Sequence, residues 1–322
     1  MRDDIKLRAD EPSPEVQRFL EDRRAGIHPG ASELHPDGAR ELFAAEYGTE
    51  EPITDVDEIH ELLISGPESA IPIRIYKPAG EGPFPVLIWF HGGGHVTGGL
   101  DSHDPTCRLL STALEGIVIG VDYRLAPENK FPAALEDCYA TMEWVVDNVE
   151  TIHGDPDKLA FGGQSAGGNL TATASLLARD RGTIDPWAYQ VLVYPRTDYD
   201  GRETKSFQEN AEGFGYSAAS AEWYWEQYIR SDIDARHPYA SPMKARDLSG
   251  VPPATVITAG FDILRDQGIA YAERLEDDGV DVTLRHYPGM IHGFFGLHSD
   301  PEIPQGKRAI EEVSTDLHSA FE

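Results

Sequence analysis

Cysteine is nearly absent from this chain. Cys107 and Cys138 are its only thiols. They fall in separate predicted helices, which excludes a disulfide framework and leaves free, buried thiols as the expectation. Long apolar runs are missing too. None approaches the roughly 18 residues that cross a bilayer, and the first ten residues lack the apolar core of an export signal, so a cytoplasmic location is expected. Lysine is scarce, seven against twenty arginines. Acids dominate, 56 Asp and Glu against 27 Lys and Arg, for a net charge of −29 and an isoelectric point near 4.6. A surface of that sign repels nucleic acid and anionic membranes, and neither is expected as a partner. Such self-repulsion destabilises a compact state unless counterions screen it, with a Debye length of about 3 Å at molar salt. The composition therefore points to a salt-rich cytoplasm and a need for high salt.

What is present is a large buried core. The hydrophobic fraction is 40 % over 322 residues, and no repeat, low-complexity tract or linker divides the chain. Residues 1–322 therefore read as one domain of alternating strands and helices. Val86–Phe90 and Gly116–Val121 are too continuously apolar for half-exposed strands and fit parallel strands covered on both faces. Pro132–Val149 reads as a helix, with Ala133, Leu135, Cys138, Met142, Val145 and Val146 on its buried face. Two segments look like additions to this core, residues 1–49 and about 197–237. The first holds two short amphipathic stretches, Val16–Leu20 and Ala39–Ala44. The second is a polar loop followed by Ala221–Tyr228, whose Trp223, Tyr224, Trp225 and Tyr228 either line a ligand pocket or pack that helix on the core.

The richest segment is Gly163-Gln-Ser-Ala-Gly167, a G-x-S-x-G pentapeptide after the apolar Leu159–Phe161 and before a helix-compatible stretch, about Asn169–Arg179. A strand that reverses into a helix holds Ser165 on the turn with its hydroxyl clear. Gly163 and Gly167 suit the crowded, strained backbone there. A second cluster, His91-Gly-Gly-Gly-His95, follows the apolar run Phe84–Phe90. Consecutive glycines at a strand end let backbone N–H groups converge on a developing oxyanion, an effect of about 3–4 kcal/mol per donor. Phosphate-loop patterns do not fit here, since no lysine follows.

Enzymes that carry such a strand–G-x-S-x-G–helix turn order their triad nucleophile, acid, histidine, so an acid and then a histidine are sought after Ser165. Asp262 stands at the end of the predicted strand Val256–Ala259. His292 lies in a glycine-flanked loop after the helix Gln267–Asp278 and the alternating strand Val280–Tyr287. Asp262 there can reach the imidazole and fix its tautomer. Asp266, four residues on, suits the first turn of the following helix and a capping role.

The chain resembles the hormone-sensitive-lipase-like esterases of the α/β-hydrolase superfamily. The matching pieces are His91–Gly94, Ser102-His-Asp104, Val121–Glu128, Gly163–Gly168, Asp262–Asp266 and His292-Gly-Phe294, in family order from about Ile53 onward. The resemblance implies an α/β-hydrolase fold, a mostly parallel sheet with helices on both faces and a helical cap from the two added segments. It implies Ser165 as nucleophile, His292 as base then acid, and Asp262 as orienting carboxylate. Gly93, Gly94 and Ala166 are implied as oxyanion donors, with Gly92 serving the turn. No cofactor is implied, and a homodimer through the last strand is common in the family. The short, polar cap and the lack of an exposed apolar surface point to a small, soluble ester of short-to-medium acyl chain as the expected substrate. Three positions depart from the pattern. Gln164 replaces the usual Asp, Gly260 a common acid, and His95 a bulky apolar residue, which bears on polarity near the oxyanion loop.

Other chemistries stay open at this stage. Amide, lactone or acyl-transfer reactions use the same triad, because fold and triad do not fix the leaving group. A non-catalytic small-molecule receptor on this scaffold is the reading furthest from these. His91, His95, His103, Asp101 and Asp104 invite a metal reading, but their spacing matches no zinc helix motif, and no metal is expected.

Overall fold

The computed structural model describes residues 6–25, 28–49, 51–298 and 302–322. The first five residues of the segment read for an export signal lie outside the described residues. Eight strands form one sheet in the order β1-β2-β4-β3-β5-β6-β7-β8. They span Glu58–Ile64 (β1), Ile71–Lys77 (β2), Phe84–Phe90 (β3), Ile117–Val121 (β4), Gly154–Gln164 (β5), Trp187–Val193 (β6), Ala254–Phe261 (β7) and Val282–Ile291 (β8). β1 and β2 pair antiparallel with each other and β2 with β4. Every pairing from β4 through β8 is parallel.

The central strands bury both faces, which is why they read as unbroken apolar runs. One face packs on α4 (Ala133–Asn148) and α5 (Ala166–Arg181) through Ile88, Phe161, Cys138, Met142 and Leu170. The other carries Leu87, Trp89, Val118 and Val191 against α3 (Leu100–Leu114) and α10 (Pro304–Ala320), with Leu110, Ile310, Val313 and Leu317 inward. Cys107 and Cys138 are both buried and free. No helix among the described residues is long and apolar enough to cross a membrane.

Element boundaries moved from the sequence reading in instructive places. Cys138, Met142, Val145 and Val149 form the buried stripe of α4, whereas Val146, a turn of about 100° from Val145, is 37 % exposed. The helix after the serine begins at Ala166 and runs to Arg181, where Gly182 closes it in the left-handed region at φ 72°. β8 continues through Pro288-Gly-Met to Ile291, a stretch read above as loop.

The two added segments are helical. α1 (Pro14–Ala25) and α2 (Pro36–Tyr47) come from the N-terminal one. The second contains α6 (Lys205–Glu209), α7 (Ala218–Tyr228) and α8 (Asp232–Ala235), each started by a Thr or Ser whose hydroxyl accepts a backbone N–H.

Strand order reverses around β3 and β5. The loops leaving those two neighbours open the crevice beyond the carboxyl ends of the strands, where ligands bind in open α/β sheets.

Candidate active site

The turn between β5 and α5 is the tightest packed point of the molecule's glycine chemistry. A Cβ on Gly163 would lie 2.4 Å from the Phe90 carbonyl oxygen, and one on Gly167 only 1.9 Å from it. A side chain at Gly163 would push β5 off β3, and one at Gly167 would push α5 off β3. Between them Ser165 holds φ 57° and ψ −113°, a conformation that L-residues rarely adopt and that surrounding structure must enforce. Its N–H donates to the Val193 carbonyl at 2.8 Å and its own carbonyl accepts from Asn169 at 2.9 Å. The strained turn is thus pinned on both sides.

Ser165 meets two groups from the far end of the sheet. Its Oγ lies 2.8 Å from His292 Nε2, and His292 Nδ1 lies 2.8 Å from Asp262 Oδ2. Asp262 is buried, 1 % exposed, and its Oδ2 is placed to accept from His292 Nδ1. That fixes the proton on Nδ1 and leaves Nε2 free to accept from the serine hydroxyl. The other oxygen of Asp262 accepts from the Leu264 N–H at 2.8 Å. Asn210, from the second added segment, holds the Asp262 carbonyl at 3.1 Å. Such a chain allows an imidazole to take the serine proton while the buried carboxylate steadies it.

Asp266 is placed elsewhere. It accepts from the Ser206 N–H at 2.7 Å and from Arg265 at 2.8 Å, tying α6 to α9 (Arg265–Asp277). The acidic residue common at position 260 has no room in this backbone. A Cβ on Gly260 would meet the Pro288 carbonyl oxygen at 2.1 Å, so β8 closes on β7 there.

The His91–Gly94 loop leaves β3 beside this chain. Gly92, Gly93 and Gly94 line the same cavity as Ser165 and His292, with Gly93 at φ 114° and Gly94 at φ 61°. Ala166 opens α5, and the first N–H groups of a helix lack intrahelical acceptors. The loop is anchored from beneath. The Gly92 N–H donates to His103 Nε2 at 3.1 Å, Gln164 Nε2 reaches the same nitrogen at 3.1 Å, and His103 Nδ1 lies 3.0 Å from the Ser102 hydroxyl. His103 is therefore a neutral acceptor, and burial pushes its pKa well below the usual histidine value. An amide at 164 suits that acceptor, where a carboxylate would not. Its Oε1 is buried without a partner.

His91 stacks on Tyr123 with ring centroids 4.2 Å apart, and burial pushes its imidazole down to about 4. His95 stacks on Tyr228 at 3.8 Å, away from the cavity, and burial followed by the nearby Arg196 pushes it down to about 3. The polarity expected from His95 near the oxyanion loop is therefore absorbed by ring packing. Asp101 and Asp104 both bind Arg74. Among the described residues no group of three or more His, Cys, Asp or Glu is arranged to hold a metal.

The added segments close over the serine. Phe19 from α1, Phe43 and Tyr47 from α2, and Ser220 and Tyr224 from α7 line the cavity. Of the four aromatics singled out on α7, Tyr224 thus faces the cavity and lies against Gly94. Trp225 and Tyr228 are buried in the core, with Trp223 packed on it. Two rings escaped the sequence reading. Tyr216 stacks on the His292 imidazole at 4.5 Å and Tyr194 tilts against it at 4.6 Å. Tyr194, at the end of β6, had one usable signal, its place at the carboxyl edge of the sheet. Tyr216 sits in a polar loop and had none.

Comparison with known proteins follows this geometry. The family described as alpha/beta hydrolase fold matches residues 87–296. The carboxylic ester hydrolase LipN of Mycobacterium tuberculosis is 42 % identical over 245 residues, covering 74 % of this chain and 65 % of its own length. The carboxylesterase NlhH of the same organism is 42 % identical over 256 residues, 77 % of this chain and 79 % of its own. Among solved structures, an esterase from Pyrobaculum calidifontis is 36 % identical and superposes with a TM-score of 0.90, covering 97 % of this chain and 100 % of that one.

Proposed function

This chain belongs to the hormone-sensitive-lipase-like carboxylesterases of the α/β-hydrolase superfamily and is a carboxylic ester hydrolase, and on that premise we propose that it cleaves short-to-medium acyl esters through an acyl-enzyme on Ser165. The observation that carries this reading is the unbroken chain from Ser165 Oγ through His292 to Asp262. The Ser165 oxygen attacks the ester carbonyl as its proton passes to His292 Nε2. The oxyanion of the tetrahedral intermediate accepts from the N–H groups of Gly93, Gly94 and Ala166, and collapse expels the alcohol, which takes the proton from His292. Water then attacks the acyl-enzyme by the same sequence, releasing the acid and restoring Ser165.

A cavity of about 110 Å³, walled by Phe19, Phe43, Tyr47 and Tyr224, supports soluble esters with modest acyl chains. The test is hydrolysis of p-nitrophenyl butyrate by wild type and Ser165→Ala, both in molar KCl. Turnover by the wild type with a folded, inactive variant is expected, followed by a chain-length series that falls beyond medium acyl groups. Equal rates for the two proteins, or a folded but inert wild type, would reject the proposal.

A further inference from the structure

Arg196, just beyond β6, is a buried cation without a counter-ion among the described residues. It is 6 % exposed. Its Nη1 donates to the Ala221 carbonyl at 2.9 Å, its guanidinium lies 4.4 Å over the Trp225 ring, and the Tyr216 hydroxyl is its other polar neighbour. Its Nε is buried without any partner. Among the described residues it forms no ion pair, and Asp198, which acts on it through space, is held by Lys244 at 3.1 Å. An uncompensated buried charge is costly. In a chain with 56 acids for 27 bases, a cation left without one is conspicuous.

Arg196 lines a cavity of about 270 Å³ that shares no lining residue with the one around Ser165. Helix α7 is the wall between them. Ser220 and Tyr224 face the first cavity, whereas Trp225 faces the second. Arg196, Trp225, Ile229 and Ala235 form its buried end. At its exposed mouth Arg202 lies 3.5 Å from Glu222, Arg230 lies 2.8 Å from the neighbouring Asp234, and the carboxylates of Glu226 and Asp232 also line it. The inner end therefore presents one positive charge set among apolar walls.

We infer that this second cavity binds a small organic carboxylate, with its anionic end on Arg196 and its apolar body against Trp225 and Ile229. A guanidinium suits a carboxylate, and the apolar remainder suits a hydrocarbon body. A dianion such as sulfate would leave one charge uncompensated in that apolar end. The acid product of ester hydrolysis belongs to the same chemical class, so ester cleavage is one reaction able to supply the ligand.

Potassium benzoate replacing KCl at constant ionic strength is the probe, read by calorimetry and melting temperature. Saturable binding is expected in the wild type and, within about twofold, in Ser165→Trp, whose new ring fills the other cavity. Arg196→Met should weaken binding about tenfold or more, the scale of one charge-assisted hydrogen bond, and Arg196→Lys should weaken it less. Ile229→Trp, which fills the proposed site without touching Arg196, should abolish binding and decides the matter if Arg196→Met does not fold. The inference is overturned by no saturable binding, by an equal response to sulfate, or by binding lost in Ser165→Trp and kept in Ile229→Trp. Because Ser165→Trp has no nucleophile, these outcomes do not depend on the esterase mechanism.

Discussion

Ser165, His292 and Asp262 carry unequal shares of the proposed reaction, and single substitutions separate them. Ser165→Ala or His292→Ala should lower kcat about 10⁶-fold, and Asp262→Asn, which leaves the imidazole in the wrong tautomer, about 10⁴-fold, measured with p-nitrophenyl butyrate. A variant retaining a tenth of wild-type activity would remove its residue from the mechanism. Five other histidines, His286 and His298 among them, are held down by burial and bear on stability instead. Burial holds His91 at about 4 and His95 at about 3, with His103 also depressed. Below the ordinary histidine pKa of about 6.5 the unfolded chain binds protons that the folded one refuses. Stability is therefore complete above about 6.5 and declines as pH falls towards 4. His95→Phe keeps the stack on Tyr228 and should flatten that acid limb in a melting-temperature series. A slope equal to that of the wild type would show that His95 does not contribute. The serine, acid and histidine were legible because their neighbours and chain order are stereotyped. Tyr216 and Asn210 were not, because what makes them matter is a contact with residues far along the chain.

At the scale of elements, the glycines of the β5–α5 turn are a steric statement. Gly167→Ala would drive a methyl into the Phe90 carbonyl, so β3 and α5 must separate. A loss of several kcal/mol is expected, roughly the cost of overpacking with backbone displacement, seen as a fall in melting temperature together with loss of turnover. Unchanged stability would mean that the elbow relaxes freely. Strands β3 and β4 were readable from apolar runs that fit a doubly covered sheet, and the end of β5 from the apolar Leu159–Phe161 leading into the G-x-S-x-G turn. Helix α4 was readable except at Val146, where counting apolar residues gave one more than a single face can hold. β8 ran further than its alternating pattern, because pairing with β7 carries it through Pro288 and Gly289 to the register of Phe261 with Ile291. The short helices α6 and α8 carry no apolar periodicity, and their Thr204 and Ser231 caps are too common in loops to announce them.

For the whole molecule, charge is the dominant variable. Many described arginines already hold carboxylates, as in the cluster of Arg74 with Glu61, Asp101 and Asp104. Twenty-seven bases nonetheless cannot neutralise 56 acids, and the excess must be screened by solvent ions. We therefore propose adaptation to high salt. Melting temperature should rise steadily with KCl into the molar range, whereas a flat or falling curve would make this an ordinary acidic enzyme. The order of strands has a consequence for how activity arises during synthesis. Ser165 sits at the centre of the sheet, yet its hydrogen-bond partner His292 lies 127 residues later, just past the edge strand β8. A nascent chain that has placed β1 through β7 holds Ser165 and the Gly92–Gly94 loop, but not His292, the base of the proposed mechanism. On the proposed mechanism, ester cleavage begins only once β8 and the turn after it have docked, and translation products that stop short of β8 are expected to be inactive.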